Sequence, residues 1–458
     1  MTTAAARYEL TWRRRALASN LLVGLVWTSG LIAVILFFTS AGSAPFGTIG
    51  AGVSSVGILC GLIGSDFVLV MIVLAARVPF IDRTIGHDRA VAVHRSLGKP
   101  ALYLLLGHAG FLIIGYGIEQ GLNPIAELGP LLATPNVWLA LIGLLLLVTV
   151  VVTSLVAVKR RFSYEGWHLI HLLSYVAVAF ALPHQLTLGG VLATGTLQRV
   201  YWITLYVVAL GSIATFRFIE PVVSSLRHRI HVAGVESVAP GVVSVHLSGH
   251  DLRSLGSVGG QFFVWRFWTR ATWWHSHPIS LSAVPTDDAA RITLRDLGDG
   301  TQRLTTLPVG TIVSVEGPYG LFTPAARTSP RLAIVAAGIG ITPARALLEQ
   351  STLRPGEATV LLRSSDDDDS VLWNEMDALA KKKGAKLYTM TGPRSPTAPR
   401  WMPASDAARG VTLQSVFPEL LASDLYLCGP AAWLELVEAD AVALGLPPHQ
   451  IHAERFDW

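Results

Sequence analysis

Six apolar stretches of bilayer-crossing length constrain the first half of this chain more than any other feature: roughly residues 16–39, 50–76, 94–118, 134–158, 164–186 and 198–219. A hydrocarbon core of ~30 Å takes about 20 helical residues to cross. Inside it no water satisfies backbone N–H and C=O groups, so such stretches fold as helices. No span of that length follows residue 219. Charge runs the other way. Only 14% of the 458 residues are charged, and these gather after about residue 220, against a usual ~25% throughout soluble domains. The pattern is a membrane half followed by a water-soluble half.

Loop charge orients the spans. Arg13, Arg14 and Arg15 precede the first; Arg77, Arg83, Arg89 and Arg95 lie around the junction of the second and third; Lys159, Arg160 and Arg161 separate the fourth and fifth; Arg227 and Arg229 follow the sixth. The opposite loops (40–49, 119–133 and 187–197) contain no Lys or Arg. By the positive-inside rule both termini are cytoplasmic, in the cell's inner (plasma) membrane. The first run is too long for a typical signal peptide and is expected to remain as a helix. A formal net charge of +4 is small for this length, so topology explains the basic residues and no nucleic-acid partner is expected. Cys60 and Cys428 form no disulfide framework.

Four histidines of the apolar half stand as two pairs: His94 and His108 in the third span, His171 and His184 in the fifth. Ionisable groups are expensive in a bilayer and mark function. Both spans start at the cytoplasmic face, so the four pair by depth, His94 with His171 and His108 with His184. Fourteen residues rise roughly 21 Å along a helix, and two helices offering a histidine near either face can hold two stacked haems by bis-histidine ligation. Fourteen residues also bring a side chain back to within ~40° of its starting face; thirteen leave it ~140° away. Pro183, just before His184, offers a kink that re-phases the helix. His168 competes with His171 but lies nearer the interface. The separation along each helix argues against one tetrahedral zinc site.

After about Arg229 the texture changes to short alternating runs such as VVSVHL, QFFVWRF, RITLRDL and TIVSVEG, which read as an antiparallel β-barrel. From about residue 327 it changes again, to strand, Gly-rich turn, helix, strand in RLAIVAAGIGITPARALLEQ and ATVLLRS, the pattern of an α/β parallel sheet. The expected division is 1–15 as an N-terminal cytoplasmic segment, 16–222 as the six-helix domain, 223–326 as the barrel and 327–458 as the α/β domain. Three stretches carry chemistry. A strand with small hydroxyls, His277-Pro278-Ile279-Ser280-Leu281-Ser282, can lie against a flat ring. Gly338-Ile339-Gly340-Ile341-Thr342-Pro343 opens a helix whose N-terminus suits a pyrophosphate. Cys428-Gly429-Pro430 ends a strand with a small, soft side chain that suits a nicotinamide ring, or a buried structural cysteine.

The ordered set HPISLS, LGDGTQRL, GPYG, GIGITP, LYLCGP and a terminal aromatic resembles the ferredoxin–NADP reductase family. The six spans with paired histidines resemble the ferric reductase-like transmembrane domain. Over nearly its whole length the chain resembles bacterial NADPH oxidases and ferric reductases. The resemblance implies an FAD- and NAD(P)H-binding reductase. His277, Pro278, Ile279, Ser280 and Ser282 would line FAD, with Ile279 standing where the family has an aromatic and Ser280 facing the reactive edge. Gly298 and Thr301 match the turn near the FAD pyrophosphate, and Gly317 and Tyr319 the turn joining the two subdomains. Gly338, Gly340, Thr342 and Pro343 would receive the NAD(P)H pyrophosphate. Cys428, Gly429 and Pro430 would sit near the nicotinamide, and Trp458 would stack on the flavin.

Arg363 and Ser364, where relatives bind the adenosine 2′-phosphate, with Arg394 nearby, favour NADPH over NADH, since guanidinium suits phosphate; the acidic run Asp366–Asp369 opposes it. Electrons are then expected to pass from cytoplasmic NADPH through FAD and two b-type haems to dioxygen or a ferric chelate outside. Arg199, Gln185, Glu119 and Gln120 are the polar candidates near that outer face. The alternatives are an electron donor to a protein partner and a haem-binding scaffold.

Overall fold

A computed structural model describes residues 3–40, 46–155, 161–162, 164–188, 190–256, 258–296, 298–366, 370–397 and 399–456. The chain divides into two compact units, Ser19–Ile81 with His87–Arg217, and Met1–Ala18 with Asp82–Gly86 and Phe218–Trp458.

The helical part contains α1 (Thr3–Ser40), α2 (Ile49–Ala75), α3 (Pro79–Ile85), α4 (His87–Gln120), α5 (Pro124–Ala133), α6 (Val137–Ser154), α7 (Tyr164–Thr187), α8 (Leu197–Ile213) and α9 (Glu220–His228). A π-helical stretch, Ala214–Ile219, joins the last two. Among the described residues six helical spans are long and apolar enough to cross a membrane, the sixth running Leu197–His228. The multi-pass architecture read from the sequence is therefore present. The short α5 falls in the stretch 119–133 expected as loop; Asn123 caps it through Ile125 N–H and Ala126 N–H, and Pro124 suits its first turn.

In lipid, close backbone approach and van der Waals packing hold helices together. On α2, Gly57, Gly61 and Gly64 share the face turned to α4; a Cβ at Gly57 would stand 3.1 Å from Phe111 Cβ, and one at Gly64 would stand 3.0 Å from Leu105 Cγ. The other side of α2 packs with α1 and α8 in one apolar cluster containing Ala33, Phe37, Leu62, Leu69, Ile72, Trp202 and Tyr206.

The remainder is built on strands. β1 (His231–Ala239), β2 (Val242–Ser248) and β5 (Ala289–Arg295) form one antiparallel sheet; β3 (Phe262–Phe267), β4 (His277–Ser280) and β6 (Val313–Tyr319) form another. Bridges His231–Ile312 and Leu281–Ile292 link the two around one core. Alternation along β3 sends Phe263, Trp265 and Phe267 inward. Each such side chain contributes about 1.5–3 kcal/mol on burial.

β7 (Arg331–Ala337), β8 (Ala358–Ser364), β9 (Lys386–Thr391), β10 (Ser423–Pro430) and β11 (Ile451–Phe456) form the parallel sheet, ordered β11-β10-β7-β8-β9. Its helices follow a short α10 (Asp299–Gln302): α11 (Ile341–Gln350), α12 (Trp373–Lys383), α13 (Ala404–Ala408), α14 (Leu413–Val416) and α15 (Ala431–Ala443). β7 shows why it reads as a continuous apolar run. Leu332, Ile334 and Ala336 face the core shared with α11 and α12; Ala333, Val335 and Ala337 face the core shared with α15. A strand covered on both faces has no polar side to present.

Candidate functional site

Two sites emerge, one in each unit. In the helical unit, α4 turns His94 and His108 toward α2. His94 Nδ1 lies 3.1 Å from Met71 O, and His108 Nδ1 lies 2.9 Å from Gly57 O. A carbonyl only accepts, so each Nδ1 carries the hydrogen and each Nε2 keeps its lone pair. Metal-binding histidines are held in this way, with the second nitrogen tied to a backbone carbonyl. Gly61 makes room for the second ring, since a Cβ there would overlap the His108 imidazole.

From α7, His171 brings its ring to 6.0 Å from that of His94, centre to centre, with the planes 59° apart. Two imidazoles on opposite sides of one metal put their centres roughly 6 Å apart, given metal–nitrogen bonds of about 2 Å. Trp167 packs 5.1 Å from His171. His184 lies close enough to His108 for the two rings to interact electrostatically, and Pro183 sits inside α7 just before it. His168 has Trp167 as its ring neighbour at 6.4 Å. Among the described residues no three His, Cys, Asp or Glu side chains converge as a metal cage. Two imidazoles per level fit haem, which brings its own four equatorial nitrogens.

The polar groups named for the outer face have internal partners. Arg199 donates from Nη1 to Leu186 O (2.8 Å) and Leu192 O (3.3 Å). Gln185 Oε1 accepts from Trp202 Nε1 (2.7 Å) and Tyr206 OH (3.1 Å), and Gln120 Nε2 donates to Glu127 Oε1 (3.2 Å). Glu119 packs against Gly50.

The second site lies where strand order reverses, between β7 and β10, the place where open α/β sheets bind ligands. β7 ends in the Gly338–Gly340 turn, and α11 begins at Ile341. Gly338 takes φ +54°, a backbone that favours glycine, and a Cβ at Gly340 would strike the Cys428 carbonyl. The turn and the end of β10 are thus pressed together. Thr342 and Pro343 are buried in the first turn of α11, with Thr342 Oγ1 bonded to Ile339 O at 3.0 Å. Beside them opens a cleft of ≈ 240 Å³ lined by Gly338, Arg295, Arg363, Arg394, Pro430 and Phe456.

Arg363 is 4% exposed. It donates from Nη2 to Gly392 O, while its Nε and Nη1 are buried without a hydrogen-bond partner among the described residues. Burial, then the charge of Arg394, lowers its affinity for a proton, as expected of a cation awaiting an anion. The Ser364 hydroxyl is committed to Asp366 O at 2.8 Å.

On the barrel side, Ser280 is buried, and its hydroxyl and His277 Nε2 lack partners among the described residues. Burial first, then His275 and Arg266, pushes the His277 imidazole down to about 4. Such orphaned polar atoms fit a ring with a hydrogen-bonding edge, as flavin has. Pro278 is exposed beside them and Ile279 is half-buried, its carbonyl bonded to Trp265 Nε1 at 2.9 Å. Ser282 faces elsewhere: its hydroxyl takes bonds from Thr293 Oγ1 (2.9 Å) and Arg291 Nε (3.0 Å). Gly298 (φ +134°) accepts at its carbonyl from Thr301 N–H and Oγ1. Gly317 (φ +135°) lies against Phe263, and Tyr319 OH donates to Glu316 Oε1 at 3.0 Å.

Cys428 is fully enclosed, and burial, then Glu454, pushes its thiol well up. Gly429 follows at φ +155°, with Pro430 at the cap of α15. Trp458 lies outside the described residues.

Sequence reasoning missed Glu454, which stands opposite Cys428 in the β10–β11 register. Its place in a terminal strand beside the cysteine was the available signal. It also missed Arg295, a cleft residue from the barrel, and the pairs joining β5 and α11 to α12. Arg291 binds Glu375 through its two terminal guanidinium nitrogens at 2.8 Å, and Arg345 Nε adds a third contact at 2.8 Å. Those depend on long-range pairing and leave no local pattern.

The model for the ferric reductase like transmembrane component matches residues 60–182. The ferredoxin reductase component of a 3-ketosteroid-9-alpha-monooxygenase from Rhodococcus rhodochrous is 28% identical over 203 residues, 43% of this chain and 55% of its own length. The chain thus spans about half of that relative. Ferredoxin–NADP reductase B from Sorangium cellulosum is 30% identical over 180 residues, 36% of this chain and 70% of its own. Among solved structures, the FAD/NAD-binding domain of a nitric oxide dioxygenase from Vibrio cholerae aligns with TM-score 0.41 at 21% identity, covering 50% of this chain and 99% of that one. The strand order above, rather than this likeness, carries the fold. The chain belongs to the ferredoxin–NADP reductase family, with a ferric reductase-like transmembrane component preceding the reductase fold in the same polypeptide.

Proposed function

We propose that the chain is an FAD-dependent NAD(P)H oxidoreductase of the inner membrane, with cytoplasmic termini, that sends electrons from NADPH outward through two b-type haems to dioxygen or a ferric chelate. The observation that carries the transmembrane part is the paired arrangement on α4: His94 and His108 are each oriented by an α2 carbonyl, and each has a histidine of α7 as its neighbour. His94 with His171 and His108 with His184 would hold the two haems.

FAD supplies the conversion of hydride delivery into single-electron release, and haem supplies one-electron carriage. The chain's own residues do the rest. The Gly338–Gly340 turn and the start of α11 bind the dinucleotide pyrophosphate. Arg363 and Arg394 bind the adenosine 2′-phosphate, which NADH lacks. Ser280 and His277 bond the flavin edge, and Gly298 and Thr301 its pyrophosphate. Cys428, enclosed against Ala336 and Gly340, presents a small, uncharged wall to the nicotinamide; Trp458 stacks on the flavin.

The second reading, an electron donor to a protein partner, differs in acceptor alone. One experiment separates these: anaerobic reduction of the purified protein with NADPH, followed by separate additions of oxygen and ferric chelate while haem absorbance is monitored. Rapid reoxidation by one of them identifies the acceptor. Slow reoxidation by both supports a protein partner, and failure of NADPH to reduce the haem refutes the pathway.

A further inference from the structure

Asp66 occupies the middle of the 27-residue helix α2, and none of its surface is accessible (0%). Two residues beyond Gly64, it lies roughly 200° around the helix from the face that meets α4, and so on the side away from His94 and His108. Its neighbours come from two other helices. Ser29 Oγ of α1 donates to Asp66 Oδ1 at 2.5 Å and lies 3.1 Å from the Tyr201 phenol of α8. Asp66 Oδ2 has no hydrogen-bond partner among the described residues; it rests by the backbone of Gly30, where a Cβ would stand 3.8 Å away. Among the described residues no Lys, Arg or His pairs with this carboxyl, and Tyr201 is the titratable group in electrostatic reach of it.

Polar groups between membrane helices often serve as glue. That role accounts for Oδ1, Ser29 and Tyr201 but not for the second, unpartnered oxygen. An asparagine would hold the three helices as well. What the acid adds is the ability to bind and release a proton. On α2 it also sits between Gly57 and Met71, the two residues whose carbonyls orient the histidines, and so between the two histidine levels in depth. An electron entering this interior brings a negative charge into a medium that screens poorly.

We propose that Asp66 is a proton-binding site coupled to electron entry into the six-helix unit. For each electron received, one proton from water binds the carboxylate, forming an O–H bond at Oδ1, the oxygen that Ser29 contacts, and leaving a neutral carboxyl. The hydroxyls of Tyr201 and Ser29 pass that proton by exchange, each giving up one hydrogen as it gains another. When the electron leaves, the O–H bond breaks and the proton returns. The electron comes from NADPH, so charge balances with no further reactant.

This inference rests on the haem reading, and its test separates the two. The full chain is purified and its b-type absorption recorded first; absence of haem overturns the haem reading and this proposal with it. Where haem is present, its midpoint potential is titrated at several pH values, and reduced-minus-oxidised infrared spectra are taken in H2O and D2O. The expected result is a potential that falls as pH rises, by at most ~59 mV per unit for one proton per electron, with a carboxyl C=O band that grows on reduction and shifts in D2O. Asp66→Asn keeps the Ser29 contact and is expected to retain haem while losing the band and flattening the pH dependence. A pH-independent potential or a missing band in the wild-type protein overturns the proposal without any variant. An unchanged band and slope in Asp66→Asn also overturns it, with the haem reading intact.

Discussion

His108 donates its Nδ1–H to the carbonyl oxygen of Gly57 across 2.9 Å, and the ring fits beneath α2 because Gly61 has no side chain. The bond fixes the tautomer and aims Nε2 away from α2, so in the proposed haem site the glycine would act on metal binding from one turn away. Gly61→Ala is expected to displace the imidazole and weaken one haem about 10–100-fold, the usual cost of disturbing a ligand's orienting partner. The haem-to-protein ratio after purification measures this, and a ratio equal to wild type would show that the helices yield instead.

Arg363 lines the cleft and keeps two buried donors without a partner among the described residues. Losing a charge-assisted contact to phosphate costs roughly 1.5–3 kcal/mol. Arg363→Ala is therefore expected to raise KM for NADPH at least tenfold while leaving KM for NADH within about twofold. Steady-state flavin reduction with each nucleotide checks this. Equal losses for both would place Arg363 in the fold and not in nucleotide choice.

The membrane half was legible in the sequence because length, hydropathy and loop charge are local properties. The depth pairing of histidines followed from the same quantities. Helical phase was less informative: thirteen residues separate His171 from His184, yet His184 comes within reach of His108 in a helix that contains Pro183. The carbonyl partners Met71 and Gly57 were invisible, since backbone acceptors carry no residue signature. In the reductase half, glycine turns at strand ends marked the crevice, but Ser282, read as a flavin residue, spends its hydroxyl on Thr293 and Arg291.

His277 gives a pH dependence with a definite sign. Burial holds its folded-state value down to about 4, below the ordinary 6.5. As pH falls through 6.5 the unfolded chain takes a proton that the folded chain refuses until about 4. Stability is therefore full above pH 6.5 and declines between 6.5 and about 4. His277→Gln is expected to flatten that part of the curve, read from the unfolding midpoint of the detergent-solubilised protein against pH. An unchanged slope would assign the acid sensitivity to other groups.

Glu375 ties β5 to α11 through Arg291 and Arg345. With Arg291 16% and Glu375 37% exposed, solvent screens the pair in part, and Glu375→Gln is expected to cost about 1–2 kcal/mol. Since β5 bonds the chain at Ser282, just past the proposed flavin strand, and α11 follows the Gly338–Gly340 turn proposed to bind the nucleotide, flavin reduction is expected to slow as well. Stopped-flow reduction alongside thermal unfolding separates the effects; destabilisation with an unchanged reduction rate would restrict the pair to holding the subdomains together.

The central claim is that two histidine pairs hold two haems. Counting haem per chain in the wild-type protein and in the His108→Ala/His184→Ala double variant tests it most directly. The account predicts about two in the first and about one in the second, with the His94/His171 haem retained. One haem in the wild type, or two in the variant, would contradict it.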